Sequence, residues 1–392
     1  MRASAFLYPW DVLGDPAAAD RVAALGVEQV TLAAAYHSTR ALTPRHPRHR
    51  VVTAPCAAVY YPVDERRWQD RPLRPHPAGD WAEGPDPYGA AAAALRAAGL
   101  DVHTWVVLAH NSRLGAEHPD TSVVNAHGDC YPWAPCIARP EVRAYLVDLA
   151  VEAAVRPGAS GTELESLGWY GLAHLHAHDK IGGVPLGDAA TYLMSLCFCP
   201  VCRAGYAGLG ADPDQVSGAV RGALAPVWAA GGSAEEGVPG IERLLGPELT
   251  ALTLDWRTAT ARSLQEQVIA AVRAAAPAGF QVLMHADPAP YRCGANAGVD
   301  AAHILGHADG LVLPCTGGPA QREAVLRPAA EHAGADTVLA ANFTVVAGMG
   351  GSPGTLAGDA AHAAALGATE LRLYHAGLAS DTDLETVRAA LT

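Results

Sequence analysis

Lysine is almost missing from the sequence. Lys180 is the one lysine among 27 basic residues, and phenylalanine occurs four times against 40 glycines and 29 prolines. This composition is typical of GC-rich coding sequences, so most of the replacement of lysine by arginine reflects codon bias. A lysine that survives this bias is a candidate functional residue, and we expect Lys180 to pair with Glu165, Asp179 or an anionic group of a substrate.

Long apolar runs are also missing. No run of 18 apolar residues occurs, which excludes a membrane-spanning helix. The short apolar stretch at the N-terminus runs directly into Trp10 and Asp11, unlike a secretory signal peptide, so we expect a cytoplasmic protein. The net charge of −13 argues against nucleic acid and anionic membranes as partners. The sequence leaves open whether the protein forms a homo-oligomer.

The order of apolar segments predicts the fold. Short β-rich runs alternate with Ala-rich helical stretches, which is typical of parallel α/β proteins. The eight runs are Ala5–Trp10, Gln29–Tyr36, Val102–Ala109, Thr162–Leu167, Phe280–His285, Gly310–Pro314, Thr337–Phe343 and Glu370–His375. We predict a single (β/α)8 barrel domain over residues 1–392, with long loops after strands two, three and four and an insertion over 168–247. A doubly wound open sheet is less favoured, because no Gly-rich phosphate loop follows the first run. We also predict that the last helix begins with a capping box formed by Thr382 and Glu385.

A cysteine cluster is the strongest local motif. Cys197, Cys199 and Cys202 lie within six residues, and three thiolates this close can bind one soft tetrahedral cation. A structural zinc would suit a long loop with little core of its own. We predict Cys136 as the fourth ligand, with Cys130 as the alternative. Free buried thiols or a disulfide would be compatible with the same spacing.

The middle third of the chain resembles glycoside hydrolase family 42, the β-galactosidases. In that family a Cys-Pro-like segment follows strand three, strand four ends in Asn-Glu-Tyr, and a Cys-x-Cys-x-x-Cys motif completes a four-thiolate zinc site. Here Cys136 before Pro140 matches the first element, and the segment 163–166 matches the end of strand four with Glu165 at the acid/base position. The resemblance implies a (β/α)8 glycosidase with a structural zinc.

Two carboxyl groups on one strand support that chemistry. Glycoside cleavage needs a pair of carboxyl groups, one of them held protonated. Glu163 and Glu165 alternate to the same side of their strand, and Trp169 follows close behind. We predict Glu165 as general acid and keep Glu163 as a further catalytic candidate; buried pairing with arginine is the structural alternative.

The chain departs from the family at strand seven. The retaining enzymes place a nucleophilic glutamate there, whereas residues 340–344 read Ala-Ala-Asn-Phe-Thr. The second carboxylate would then be Asp287, the leading candidate, or Asp179 or Asp11. A widely spaced pair would imply an inverting mechanism.

Polar side chains gather at the predicted strand ends. We expect them to bind sugar hydroxyls, and the candidate substrate-binding residues are Tyr36, His37, His110, Asn111, Arg113, Trp169, His178, Lys180, His285, Asn342 and His375.

Two other classes of function stay open. A metal-dependent hydrolase, isomerase or lyase could use His178, His285 and His375, with Asp287 or Asp179, to hold a second divalent cation. A sugar-binding barrel without catalysis is permitted by the missing carboxylate at strand seven. The favoured prediction is a glycosidase for a small carbohydrate substrate.

Overall fold

A computed structural model describes residues 1–174 and 179–392 of the chain. Its centre is a closed barrel of eight parallel strands, in which the last strand pairs with both the seventh and the first. The strands, named β1 to β8 in chain order, are Arg2–Leu7, Gln29–Tyr36, Asp101–Val107, Gly161–Glu165, Gln281–Asp287, Gly310–Pro314, Val338–Thr344 and Glu370–Tyr374. The predicted (β/α)8 fold is confirmed.

Helices surround the barrel. Named α1 to α14 among the described residues, they are Ala18–Ala23, Glu65–Trp68, Pro87–Ala97, Ser112–Glu117, Pro140–Ala154, Gly187–Met194, Pro200–Gly208, Pro213–Ala230, Gly237–Leu245, Pro247–Ala275, Ala301–Ile304, Pro319–Ala330, Leu356–Ala365 and Asp381–Leu391. Several begin with proline in the first turn, where its missing N–H costs no hydrogen bond. Within this part of the chain, no helix combines the length and apolar character needed to cross a bilayer.

Six of the eight predicted strands have bounds that differ by one to three residues from the structure, and two wrong boundaries have a clear local cause. The first strand ends at Leu7 rather than Trp10, because Pro9 opens a short turn and the Asp11 carboxylate accepts the backbone N–H of Tyr8 at 2.8 Å. The last helix, α14, is capped by Ser380 and Asp383 rather than by Thr382 and Glu385. Both pairs have the spacing of a capping box, so the sequence alone does not distinguish them.

The connections after β2, β3 and β4 carry additional structure. A hairpin of Thr39–Leu42 and Val51–Ala54 follows β2, and a second hairpin of Ser122–Val124 and Cys130–Pro135 follows β3. Between β4 and β5, the helices α6 to α9 pack around a small apolar core of their own that includes Leu193, Leu224 and Ile241. The single-domain boundary and the 168–247 insertion stay predictions.

The alternation of side chains along the strands sets the contents of the barrel. In the pairing of β3 with β4, Trp105 lies opposite Glu163 and Val107 opposite Glu165. Both glutamates point inward, where Glu163 meets Arg372 of β8 and Glu165 meets the Trp105 indole. The barrel interior therefore has a lower charged layer and an upper layer open to the carboxyl ends of the strands.

Candidate active site

A cavity of about 1180 Å³ opens at the carboxyl ends of the strands. This is the face on which (β/α)8 barrels build their active sites. Its deep part is lined by Tyr8, Tyr36, Trp105, Glu165, His285 and Tyr374. Its outer part is formed by the hairpin after β2 and by the loops after β7 and β8.

Glu165 lies on the floor of this cavity. Its side chain is only 10% exposed, and its Oε2 accepts a hydrogen bond from the Trp105 indole N–H at 2.7 Å. Burial raises the pKa of the Glu165 carboxyl above its ordinary value, while nearby His285 and the Trp105 hydrogen bond act in the opposite direction. A carboxyl group in this environment retains its proton to higher pH than a solvated glutamate.

Aromatic rings form the walls around Glu165. The Trp105 ring lies 4.8 Å from Phe6 and 4.5 Å from Tyr36, measured between centroids, and both contacts are edge-on. Tyr8 and Tyr374 complete the floor, and burial raises the pKa of both phenols. The floor thus offers ring faces for stacking and neutral hydroxyl groups for hydrogen bonding.

Glu163 lies below the cavity. It is fully buried, and its Oε1 accepts hydrogen bonds from Arg372 Nε at 2.6 Å and from the Thr31 hydroxyl at 3.0 Å. Burial acts to raise the pKa of this carboxyl, but Arg372, His103 and His285 hold it well below its usual range. This position suits a fixed buried anion paired with arginine rather than a group that meets substrate.

His285 lies between the two glutamates. Its Nε2 lies 3.3 Å from Glu163 Oε2, and its Nδ1 lies 3.9 Å from Glu165 Oε2. The ring is buried but lines the cavity. The charged layer is therefore connected to Glu165 through one imidazole.

None of the three predicted second carboxylates, Asp287, Asp179 and Asp11, is among the described residues that line the cavity. Asp287 lies outside the lining that the described residues form; its Oδ1 accepts the Ala289 N–H, and its Oδ2 is 3.6 Å from Arg292 Nε. Burial raises its pKa, opposed by Ala289 and Arg292. Asp11 is also buried, with its pKa raised to about 7 by burial, and contacts His375 rather than the cavity.

Asp383 was not predicted from the sequence. Of the described residues that line the cavity, two carry carboxyl groups, Glu165 and Asp383. The Asp383 Oδ2 accepts the backbone N–H groups of Ser380 and Ala347 at 3.3 and 3.4 Å. Correct assignment of the α14 capping box would have identified this residue.

The predicted histidines divide between the cavity and its surroundings. His37 lines the cavity and stacks on Tyr36 at 4.2 Å and on His110 at 4.5 Å, and burial lowers its pKa to about 4. His375 is fully buried beneath the floor and stacks on Tyr8 at 4.4 Å, with its pKa lowered by burial to about 3. His178 lies outside the described residues.

Three further candidates have structural contacts outside the lining. Asn111 caps α4 by accepting the Leu114 N–H at 3.0 Å, and Arg113 pairs with Glu117 at 2.8 Å. The Trp169 indole donates to the carbonyl of Arg257 at 3.0 Å. These contacts fix loops around the cavity.

Asn342 and Lys180 have contrasting positions. Asn342, at the end of β7, lines the cavity, and its buried Oδ1 has no hydrogen-bond partner among the described residues. This oxygen is available to a ligand hydroxyl. Lys180 is exposed and lies outside the described lining of the cavity.

The four predicted cysteine ligands converge. Cys136, Cys197, Cys199 and Cys202 are all buried, and the Cys136 Sγ lies 3.7, 3.7 and 3.6 Å from the other three. A tetrahedral site with a Zn–S distance of about 2.3 Å has S–S edges of about 3.8 Å. The group therefore fits a metal ion such as zinc. The alternative ligand Cys130 is exposed and contacts the Pro119 carbonyl instead.

No equivalent group forms from the strand-end histidines that the structure describes. Within residues 1–174 and 179–392, the groups of three or more side chains whose ligand atoms all lie within 4.8 Å of one another are the four cysteines and the solvent-accessible set Glu266, His303 and His307. His285 and His375 instead contact different carboxylates, Glu163 and Asp11. The described residues therefore do not favour a second divalent cation bound by the strand-end histidines.

No known family profile and no curated protein sequence matches the chain. Solved structures do match. They include α-L-fucosidase isoenzyme 2 from Paenibacillus thiaminolyticus (TM-score 0.56, 14% identity, 100% of this chain and 49% of that chain). A family 42 β-galactosidase from G. stearothermophilus matches with a TM-score of 0.56 and 11% identity, over 100% of this chain and 56% of that chain. The catalytic domain of a Paenibacillus polymyxa β-amylase matches with a TM-score of 0.56 and 12% identity, over 99% of this chain and 97% of that chain.

These similarities establish the barrel fold. The chain spans about half the length of the fucosidase and of the family 42 β-galactosidase, and nearly all of the β-amylase catalytic domain. The predicted structural resemblance to glycoside hydrolase barrels is confirmed at the level of the fold. Activity has to be argued from the site.

Proposed function

We propose that the chain is a glycoside hydrolase acting on a small glycoside, with Glu165 as the general acid/base. One observation carries this proposal: a buried carboxyl group with a raised pKa lies on the aromatic floor of the cavity at the carboxyl ends of the barrel strands. A carboxyl group that keeps its proton to higher pH than a solvated glutamate can protonate the oxygen of a leaving group.

The surroundings of Glu165 fit proton donation. Trp105 holds Oε2 in place, so we assign the transferable proton to Oε1. Tyr36 and Tyr374 offer faces and hydroxyl groups to a sugar ring, and Asn342 offers its Oδ1. Because these side chains lie on different strands of one closed barrel, their relative positions are rigid.

We assign the second carboxyl group to Asp383, ahead of Asp287. Asp383 lines the same cavity as Glu165, and two backbone N–H groups donate to its Oδ2 and hold the side chain in place. Asp287 lies beside Arg292 outside the lining. In this assignment Asp383 activates water or attacks the sugar, while Glu165 protonates the leaving group.

We also propose that the four cysteines hold a structural zinc. The site joins Cys136, which precedes α5, to the segment that leads into α7, so it ties the helical region after β4 to the barrel. Four thiolate ligands leave no open coordination position. The zinc would therefore stabilise the loops around the cavity and take no part in catalysis.

The test is the hydrolysis of a panel of 4-nitrophenyl and methyl glycosides by the wild type and by Glu165→Gln. Loss of a general acid costs about 10²- to 10⁴-fold in rate. The loss should be larger for methyl glycosides, because nitrophenolate leaves without needing a proton. Undiminished activity in a folded Glu165→Gln variant would refute the acid role, and sugar binding without turnover by the wild type would favour the non-catalytic barrel.

A further inference from the structure

The mouth of the cavity carries large apolar side chains in contact with solvent. Leu42 is 67% exposed and Met349 is 52% exposed, and both line the cavity. Val51, which is 51% exposed, lies opposite Leu42 in the hairpin after β2. Large apolar groups concentrated at one site on a surface mark a binding region.

Leu42 and Met349 belong to a set of four aliphatic side chains that line the cavity. We define the apolar wall as Leu42, Val346, Met349 and Leu378, which come from the connections after β2, β7 and β8. β7, β8, β1 and β2 are consecutive neighbours in the barrel, so these connections lie on the same sector of the rim. Polar residues line the cavity as well, including Asn296 and Thr316 outside these connections and Arg40 and Asp383 within them.

The cavity changes in character from floor to mouth. Glu165, His285, Tyr8 and Tyr36 at the bottom are buried, whereas Leu42 and Met349 at the top are exposed. The volume of about 1180 Å³ exceeds the range of about 300–1,000 Å³ usual for sites that take a drug-sized ligand. One sugar ring on the floor would leave the mouth unfilled.

We propose that the apolar wall binds the aglycone of the substrate, and that this aglycone is an apolar alkyl or aryl group rather than a second sugar. This inference rests on the proposed glycosidase function. The wall is continuous with the cavity that contains Glu165, so a group attached through the scissile oxygen passes directly from the acid to the wall. A second sugar would place hydroxyl groups against Leu42 and Met349, which offer them no hydrogen bonds.

The first experiment compares octyl and methyl glycosides of whichever sugar the wild type releases from the 4-nitrophenyl panel. Burial of methylene groups against the wall should make the octyl glycoside bind at least about tenfold more tightly than the methyl glycoside. In Leu42→Ser/Met349→Ser this ratio should fall to within about twofold. Both residues are exposed, so the double variant should fold normally. Equal binding of the two glycosides by the wild type would overturn the inference.

A matched control separates this wall from general surface apolarity. Leu209 is 48% exposed and lies outside the cavity lining formed by the described residues, so Leu209→Ser makes the same chemical change elsewhere. It should leave the octyl-to-methyl ratio unchanged. A fall in the ratio for Leu209→Ser equal to that for the double variant would also overturn the inference.

A neutral fluorescent probe makes the result independent of catalysis. N-phenyl-1-naphthylamine should bind the wild type, and Leu42→Ser/Met349→Ser should weaken this binding at least about fivefold. If no glycoside is hydrolysed but the probe binds in this way, the proposed function fails and the apolar site stands. If glycosides are hydrolysed but the probe binds wild type and double variant equally, the apolar site fails and the proposed function stands.

Discussion

The indole N–H of Trp105 donates a hydrogen bond of 2.7 Å to Glu165 Oε2 inside the barrel. The donor is on β3 and the acceptor on β4, which are hydrogen-bonded neighbours, so the strand register fixes their separation. The same indole packs edge-on against Phe6 and Tyr36. Trp105 therefore both orients the candidate acid and forms part of the floor on which a sugar would rest.

Trp105→Phe should move the basic limb of the pH–rate profile to higher pH. The indole hydrogen bond favours the ionised form of Glu165 and lowers its pKa, so its removal lets burial raise that pKa further. A general acid works while protonated, and the enzyme should then stay active to higher pH. The measurement is kcat against pH for a methyl glycoside. A limb that moves to lower pH would contradict the assigned role.

Glu163→Gln and Glu165→Gln should differ in their effect on stability. Removal of the Glu163 charge leaves Arg372 buried with only Glu370 as an acidic partner, and breaking a buried pair costs about 3–5 kcal/mol. Glu165 has a raised pKa, so its ionised form opposes folding above the ordinary pKa of glutamate, and a neutral glutamine removes that cost.

Urea unfolding at pH 8 measures this difference. The free energy of unfolding should fall strongly for Glu163→Gln and should stay level or rise for Glu165→Gln. Equal destabilisation by the two variants would show that both glutamates are structural.

Asp383→Asn should lower glycoside hydrolysis by at least about 10²-fold if Asp383 is the second carboxyl group. Asp287→Asn is the matched comparison, since it makes the same change beside Arg292, outside the described cavity lining. It should have the smaller effect on kcat. A larger loss of rate in Asp287→Asn than in Asp383→Asn would assign the role to Asp287 instead. Melting temperatures of both variants must be measured alongside the rates, because Asp383 also caps α14.

Cys136→Ser should abolish binding of about one equivalent of zinc and lower the melting temperature by on the order of 5 °C or more. Cys136 contributes one of four converging thiols, and its replacement opens a structural site. Cys130→Ser is the control, because that thiol is exposed and outside the group. Metal analysis by mass spectrometry and calorimetry provide the measurements. Full zinc content in Cys136→Ser would remove it from the ligand set.

His375→Phe should make the protein more resistant to acid. Burial lowers the pKa of His375 from 6.5 to about 3 in the folded state, so between these values the unfolded chain takes up a proton that the folded chain does not. The free energy of unfolding of the wild type is thereby reduced as pH falls below 6.5. At pH 5 the penalty is about 2 kcal/mol, and phenylalanine removes it.

The comparison of His375→Phe with the wild type separates the effect of histidine titration from other effects of pH on stability. Phenylalanine can keep the stacking on Tyr8, and neither ring nitrogen of His375 has a hydrogen-bond partner among the described residues. The nearby Asp11 and Arg45 are the same in both proteins. Denaturant unfolding at pH 7 and pH 5 should show the variant gaining relative to the wild type. If the difference in free energy of unfolding between variant and wild type were the same at pH 7 and pH 5, the prediction for His375 would be wrong.

The barrel could be predicted from the sequence because each buried parallel strand is a short apolar run. The β2 prediction coincides with Gln29–Tyr36, and β6 with Gly310–Pro314. Cys136 could also be preferred over Cys130, because its segment before Pro140 resembles the family 42 pattern. Glu165 could be singled out because a charged residue in an apolar strand requires a specific partner.

Three aromatic residues of the floor, Trp105, Tyr8 and Tyr374, could not be predicted in the same way. Trp105 lies within an apolar strand and looks like a core residue, and its role depends on the register between β3 and β4. Tyr8 and Tyr374 meet only because β8 closes on β1, a contact between the two ends of the chain. Asp383 was missed because two overlapping capping patterns, two residues apart, fit the start of α14 equally well.

The ion pair between Glu163 and Arg372 joins residues 209 positions apart. During synthesis the glutamate leaves the ribosome with the fourth strand, and its guanidinium partner follows only with the eighth. A half-barrel that ends after β4 would enclose a carboxylate with no cation to neutralise it, which disfavours compact incomplete forms. Closure by the last strand therefore completes the hydrogen bonding of the barrel and, in the same step, brings a guanidinium to the buried Glu163 carboxylate.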